Sequence, residues 1–380
     1  MTFLTLKIYI SAIKRKIRKF FLPNFNEYGQ RQANIFLSPS QGISAKSKFS
    51  ERLLNFSGSN LRPMQWQSVA REKLIQITGY SSARPTIKVV TQSGIVKLEK
   101  SIFKSSAYIR VDKYSDVPVH LVYSDSIPRN APVLIFLAGS TSGVHVGWGE
   151  AKVPADHERI SCGSDILLKA AKDGFLGVGI EQPGYGERQE MHLSKKSTNR
   201  TIDAFGHLLL QGRTLIGLGA SEVSSVIDWL VSGGSKFDLD TKRIYVFGHS
   251  SGGTLAQYCG AIDERISGVI ASGSVGRLSE TISQRGCSGG DGIVPDFLKW
   301  FEAADLVALH APRTFIAISG KNDHIFPFMG AKKVINEARE FYELVGASSK
   351  IHAVEGADGH RYYGNLSWLS FQQQVREELI

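Results

Sequence analysis

The chain has 380 residues, 42% hydrophobic and 21% charged, which is the composition of a folded chain with a large core rather than a disordered one. Its formal net charge of +10 is uneven: Lys7, Lys14, Arg15, Lys16, Arg18 and Lys19 fall within residues 1–22, which hold no acid, so the rest of the chain carries only +4 and offers no broad phosphate-binding face for nucleic acid. Three cysteines, Cys162, Cys259 and Cys287, form no CxxC pair, which excludes a disulfide framework or a zinc site and points to a reducing, cytoplasmic compartment.

The opening segment places Phe3, Leu6, Ile10, Ile13, Ile17 and Phe20 at alternating steps of three and four, predicting a basic amphipathic helix over residues 1–22. Its charges follow the apolar stretch, the reverse of a signal peptide, and that stretch is too short to cross a bilayer. Two uses stay open: peripheral contact with an anionic membrane surface, or docking on its own domain or on another subunit of an oligomer. Residues 23–61, rich in Ser, Asn, Gln and Gly, read as a linker or extended wrap, and the main domain is expected over 62–380.

That domain starts with a predicted helix, Met64 to Ile77, with Trp66, Val69, Leu74 and Ile77 as apolar positions and Gly79 as the stop. Short strands follow at Thr86–Thr91, Ala107–Val111 and Val117–Tyr123, then a fully apolar one at 132–139. Beyond it, strands at Leu176–Ile180, Ile244–Phe247, Gly268–Ala271, Thr314–Ile318 and Ile351–Val354 alternate with helical patterns. Such alternation predicts an α/β fold with a mostly parallel central sheet and helices on both faces, and a ligand site outside the carboxyl ends of the strands.

"FGHSSGG", residues 247–253, sits at one such end, between the apolar strand and a helical run beginning near Thr254. Gly248-His249-Ser250-Ser251-Gly252 fits a nucleophile elbow, where small flanking residues let a serine occupy a strained strand-to-helix turn. Gly286-Cys287-Ser288-Gly289-Gly290 matches the same five-residue pattern but follows no strand, so it reads as a loop. A serine hydroxyl is a poor nucleophile until a base, oriented by a carboxylate, accepts its proton. "TFIAISGKNDHIFP" supplies Asp323 just past one buried strand and "KIHAVEGADGHRYYG" supplies His360 past the next, in the order serine, acid, histidine. Asp358 is the rival acid; His324 and His352 are the rival bases. The backbone N–H of Ser251, at the start of a helix, is the first expected oxyanion donor, and Ser140 in "LAGSTSG" is the candidate for the second.

In "QGRTLIGLGASEVSSVIDWL", "YVFGHSSGGTLAQYCGAIDERISGVIASG", "IVPDFLKWFEAADLVALHAPRTFIAISGKNDHIFP" and "EGADGHRYY" the chain resembles α/β-hydrolases of the dienelactone hydrolase and acetyl xylan esterase-like branch, over about residues 62 to 365. The resemblance implies an α/β-hydrolase fold and a serine esterase with the triad Ser250, Asp323 and His360. The nucleophile by itself admits esters, thioesters and amides; the resemblance is what selects carboxylic esters, small-molecule or carbohydrate, with acetyl esters among them. Two positions depart from the branch: Glu181 in "GIEQPGYGER", commonly aspartate there and read as holding a loop, and Ala138, where histidine is common. His249 is expected as a wall of the pocket, and His145 and Trp148, in the long loop after the 132–139 strand, as substrate-binding candidates or loop packing. No metal-ligand spacing or dinucleotide loop occurs, so no metal and no cofactor are expected. An acyltransferase with the same triad and a catalytically silent, membrane-held scaffold are the alternative readings.

Overall fold

The apolar runs of the sequence become the strands of one sheet, and their alternation divides the interior in two. The structure, a computed structural model, describes residues 51–83, 87–191, 193–195, 197, 201–280 and 290–377, with isolated positions 39, 42, 43 and 46 before them. The expected amphipathic helix over 1–22, most of the expected linker, Cys287 and the second elbow-like match apart from Gly290 lie outside the described residues.

Ten strands are present among the described residues: β1 (Lys88–Gln92), β2 (Val96–Lys97), β3 (Ile102–Asp112), β4 (Ser115–Ser124), β5 (Ala131–Leu137), β6 (Leu176–Ile180), β7 (Leu239–His249), β8 (Ile266–Ser272), β9 (Thr314–Gly320) and β10 (Ile351–Gly356). They form one sheet in the order β1-β3-β4-β6-β5-β7-β8-β9-β10, with β2 pairing β3 at the edge. From β6 to β10 all pairings are parallel, while β1 to β4 add an antiparallel flank that joins through β4 and β6. The helices are α1 (Pro63–Thr78), α2 (Pro154–Ser161), α3 (Ile166–Lys172), α4 (Ile202–Leu209), α5 (Leu215–Val231), α6 (Ser251–Ile262), α7 (Phe297–Trp300), α8 (Ala303–Ala308), α9 (Phe328–Leu344) and α10 (Gly364–Glu377).

Successive strand residues face opposite sides. In β5, Val133, Ile135 and Leu137 enter the core shared with α1, α5, α6, α8 and α9, while Leu134 and Phe136 enter the core shared with α3 and α10. β7 and β9 divide in the same way, Val246 and Ala317 to the first side, Phe247 and Ile318 to the second. Both faces are therefore dry, which is why these strands read as unbroken apolar runs rather than as alternating ones.

Helix α1 ends at Gly79, whose φ of 64° is the left-handed turn that favours glycine. Its buried stripe is Trp66, Ala70, Leu74 and Thr78; Val69, expected inside, is exposed. Steps of four through small residues let α1 lie close to its neighbours, and hydropathy alone points to the larger residue beside them. Trp66 is the anchor: its ring packs 4.9 Å from Phe341 and 5.9 Å from Phe56, and its Nε1–H donates to Leu54 O at 3.0 Å. Leu53 and Leu54 N–H donate to the carbonyls of Lys299 and Trp300 at 3.0 and 2.9 Å, so this part of the expected wrap is hydrogen-bonded along the edge of α7.

Because Trp66 fills the junction of α1, α9 and the wrap, Trp66→Ala is expected to cost about 3 to 5 kcal/mol of stability, read from urea unfolding against wild type.

Candidate active site

Strand β7 ends at His249 and α6 begins at Ser251, which leaves Ser250 alone to make the turn, at φ 54° and ψ −120°. A serine keeps this uncommon backbone only where its surroundings over-determine it. Ser250 N–H donates to Ser272 O at 2.8 Å, and Thr254 N–H donates to Ser250 O at 2.9 Å. The flanking glycines are a matter of space: a Cβ on Gly248 would stand 2.1 Å from Gly252 O, and one on Gly252 2.2 Å from Leu137 O.

The other predicted residues arrive from the neighbouring strand ends. Asp323 follows β9 and His360 follows β10, two strands whose last residues, Gly320 and Gly356, are in register. His360 Nε2 lies 3.0 Å from Ser250 Oγ, and its Nδ1 lies 2.8 Å from Asp323 Oδ2. Asp323 Oδ1 accepts the N–H groups of Ile325 and Phe326 at 2.8 and 2.9 Å. Burial works to raise the Asp323 pKa, but the imidazole and these two amides outweigh it and hold the carboxyl below its ordinary range. The rivals stand elsewhere: Asp358 is exposed and pairs with Arg361 at 2.8 Å, His352 Nε2 lies 2.9 Å from Ser349 O, and exposed His324 meets His360 edge-on at 6.1 Å between ring centroids.

His249 lies beneath this trio. Its ring stacks 3.9 Å from Tyr362 and 5.2 Å from His360, and its Nδ1 lies 3.0 Å from Ser272 Oγ. Burial, then the charge of His360, drives its pKa down to about 3, so it remains a neutral ring. It is a wall of the cavity, as its position beside the elbow implied.

His145 and Trp148, the other substrate-binding candidates, are not on that wall. They belong to a short 3-10 turn, Val144–Trp148, and are 2% and 5% exposed. His145 Nε2 lies 3.0 Å from Asp156 Oδ2, and Trp148 Nε1–H donates to Glu150 at 2.8 Å. Asp156 is what turns this loop inward: it also accepts from Ser142 Oγ, from the amides of Lys152 and Val153, and from Arg159. Desolvation would raise its pKa, yet these donors prevail and lower it. Glu181 holds the same loop from the other side, both carboxyl oxygens accepting Val144 N–H at 3.1 and 3.2 Å.

The side chains of Ser140 and Ser251 meet, their Oγ atoms 3.1 Å apart. Ser140 Oγ also lies 3.1 Å from Tyr185 Oη, and Tyr185 donates to Asp291 Oδ2 at 2.8 Å. Tyr185 and Asp291 were not anticipated: the tyrosine sits in the same "GIEQPGYGER" stretch as Glu181, but nothing in spacing brings Asp291 beside it. Burial, then the Asp291 carboxylate, raises the Tyr185 pKa, so its phenol stays protonated and donating. Ser250, Ser251, Ser140, His249 and His360 open on one cavity of about 810 Å³. No helix among the described residues is long and apolar enough to cross a membrane, and none of their His, Cys, Asp and Glu side chains group as a metal site.

A serine at the strand-to-helix turn after β7, with an acid after β9 and a histidine after β10, places the chain among the α/β-hydrolases. Residues 55–355 match the model of the Abhydrolase family, and the chain belongs to that family. A Bacillus subtilis (strain 168) protein named as a hydrolase, YtaP, is 25% identical over 292 residues, 76% of this chain and 92% of that one. Among solved structures, a Bacteroides fragilis protein described as an acetyl xylan esterase superposes with a TM-score of 0.67 at 18% identity, covering 87% of this chain and 84% of its own. A glucuronoyl esterase from Solibacter usitatus does so with a TM-score of 0.62 at 16% identity, covering 86% and 97%.

Burial, opposed chiefly by the Val144 amide, raises the Glu181 pKa to about 7. A carboxyl that binds its proton more tightly folded than unfolded adds stability at low pH, which is lost as pH rises from about 4.5 through about 7. Glu181→Gln is expected to flatten that part of the stability-versus-pH curve, measured by urea unfolding at several pH values; parallel curves for the two proteins would show that Glu181 carries no such proton.

Proposed function

We propose that the protein hydrolyses a carboxylic ester in two steps through an acyl-enzyme on Ser250. The observation that carries the reading is the unbroken chain from Ser250 Oγ through the His360 imidazole to the buried Asp323 carboxylate, opening on a cavity. His360 Nε2 takes the hydroxyl proton as Oγ attacks the carbonyl carbon, then returns it to the departing alcohol oxygen. Asp323, held ionised by His360 and two amides, keeps the Nδ1–H tautomer and stabilises the imidazolium. Water then repeats the sequence and releases the acid. His249, tilted against His360 at 5.2 Å between ring centroids, stays uncharged and so places no second cation beside the imidazolium of the cycle.

For the oxyanion, α6 offers the Ser251 N–H, one of the first amides of a helix that have no intrahelical acceptor. In the loop after β5, Gly139 N–H donates to Tyr362 Oη at 3.4 Å and Thr141 N–H to Gly139 O at 2.6 Å, and the amide of Ser140 between them is the donor assigned to this loop. The hydroxyls of Ser140 and Ser251, linked to each other and to Tyr185, hold the two loops together rather than donating directly. The names of the relatives, a hydrolase and esterases of carbohydrate esters, support the same reaction class.

Wild-type protein is expected to hydrolyse p-nitrophenyl acetate with a pre-steady-state burst equal to the enzyme concentration, and to be labelled by a fluorophosphonate at Ser250. Ser250→Ala is expected to abolish both, and Asp323→Asn to lower kcat by about 10⁴. A folded wild-type protein that neither turns over nor labels would overturn the proposal.

A further inference from the structure

Resting on the hydrolase reading, the shape and lining of the cavity bear on which ester is taken. The cavity extends beyond the elbow along α6: Ser251, Thr254 and Tyr258 all line it, and the helix rises roughly 10 Å from Ser251 to Tyr258. An acetyl group reaches only the first turn of that length. The facing wall comes from the segment between β8 and β9, where Leu278, Val294, Phe297 and Leu306 line the cavity, and from Phe326 after β9. Tyr258 and Phe297 meet edge-on at 5.9 Å between centroids.

Two polar groups on this side are engaged with the protein. Gln257 Nε2 donates to Gly253 O, Ser274 O and Ser274 Oγ at 3.1 to 3.3 Å, and Thr254 Oγ1 donates to Ser250 O at 3.3 Å. Tyr258 and Asp291 also bring polar groups to the lining, and with Leu278, Val294, Phe297, Leu306 and Phe326 the described part of this side is mostly hydrocarbon. The exposed charges of Asp296 and Lys299 lie on the lining too, on either side of Phe297 in the chain.

Beside His360 the lining has the opposite character: Arg361 directly follows the histidine and reaches Cys162 Sγ at 2.7 Å, at the C-terminal end of α2, the helix that also brings Glu158 and Arg159 to the lining. Arg159 is held by Asp156 and Arg361 by Asp358, each at 2.8 Å. The alcohol oxygen must leave against His360 Nε2, and the imidazole adjoins Arg361 and Tyr362 on this charged side. The departing alcohol therefore faces the charged wall, and the acyl chain is left to the apolar one.

From this division we infer that the α6 lobe is an acyl-chain site that selects unbranched apolar acyl groups well beyond acetyl. Each methylene transferred from water to such a wall favours binding about fourfold, and the part of that gain kept in the transition state appears in kcat/KM.

The test is a series of p-nitrophenyl esters, acetate, butyrate, hexanoate and octanoate, with a parallel series of alkyl acetates. For wild type, kcat/KM is expected to rise by roughly tenfold or more from acetate to hexanoate, and to change much less along the alkyl acetates. Two lobe-filling variants, Leu278→Trp and Val294→Phe, are expected to lower the octanoate-to-acetate ratio by at least about tenfold, a ratio that does not depend on how much enzyme remains folded. Octanoate is expected to inhibit wild type competitively at far lower concentration than acetate does. A flat or falling acyl series in active enzyme overturns the inference while leaving the hydrolase reading intact. Dependence along the alkyl acetates instead overturns the acyl assignment, and an unchanged ratio in whichever filling variants fold overturns the placement in this lobe. Absence of any hydrolysis or Ser250 labelling removes the hydrolase reading and this inference with it.

Discussion

The parallel register of β7, β8, β9 and β10 is the constraint on which the site depends. His249 pairs with Ser272, Ser272 with Ile318 and Gly320 with Gly356, so the strands end level and their connections leave the sheet at the same edge. Ser250 and His360 are 110 residues apart in sequence, yet they meet at hydrogen-bond distance because Ser250 directly follows β7 and His360 stands on the short connection after β10, at the same edge of the sheet. A one-residue slip of β9 or β10 would exchange the faces of Ile316, Ala317 and Ile318 and turn apolar side chains from one dry core into the other. The burial that stabilises the sheet thus also fixes the geometry of the site. No separate device is needed to bring the imidazole to the hydroxyl.

Within that frame the electrostatics are set by which groups water reaches. Three titratable side chains sit within one stack of contacts, and each has a different environment. Asp323 is buried but receives three hydrogen bonds, so it stays ionised; His249 is buried against an aromatic ring beside a chargeable neighbour, so it stays neutral. His360 is placed between them, its Nε2 toward the cavity. One side of the imidazole thus meets a fixed anion and the other a neutral ring.

The legible part of this design was the part written in local chemistry. Unbroken apolar runs gave the central strands, and a turn crowded with glycine, together with an acid and a histidine after the next strand ends, brought forward Ser250, Asp323 and His360 as a set that the structure places in contact. Where the reading faltered, the determinant lay elsewhere in the chain. Val69 looked like a core residue by hydropathy, but α1 approaches its neighbours through Ala70 and Thr78, which only the packing partner reveals. His145 and Trp148 looked like pocket residues because of the loop they occupy; buried Asp156, eleven residues beyond His145, draws that loop in and away from the cavity. Tyr185 and Asp291 come together across 106 residues with no pattern to announce them.

The same distinction separates the two halves of the cavity. The elbow directly follows β7, and Asp323 and His360 stand on the connections just after β9 and β10, so the sheet positions all three. The facing wall of the α6 lobe is supplied by described residues of the connection between β8 and β9, among them Val294, Phe297 and Leu306, which pack into the first core. Being apolar, these side chains shape the lobe without entering the hydrogen bonds around Ser250. On the proposed reading, reaction chemistry and acyl selection therefore rest on different parts of the chain, one at the strand ends and the other on this connection. A fold that supports one nucleophile and many ester specificities follows from that separation.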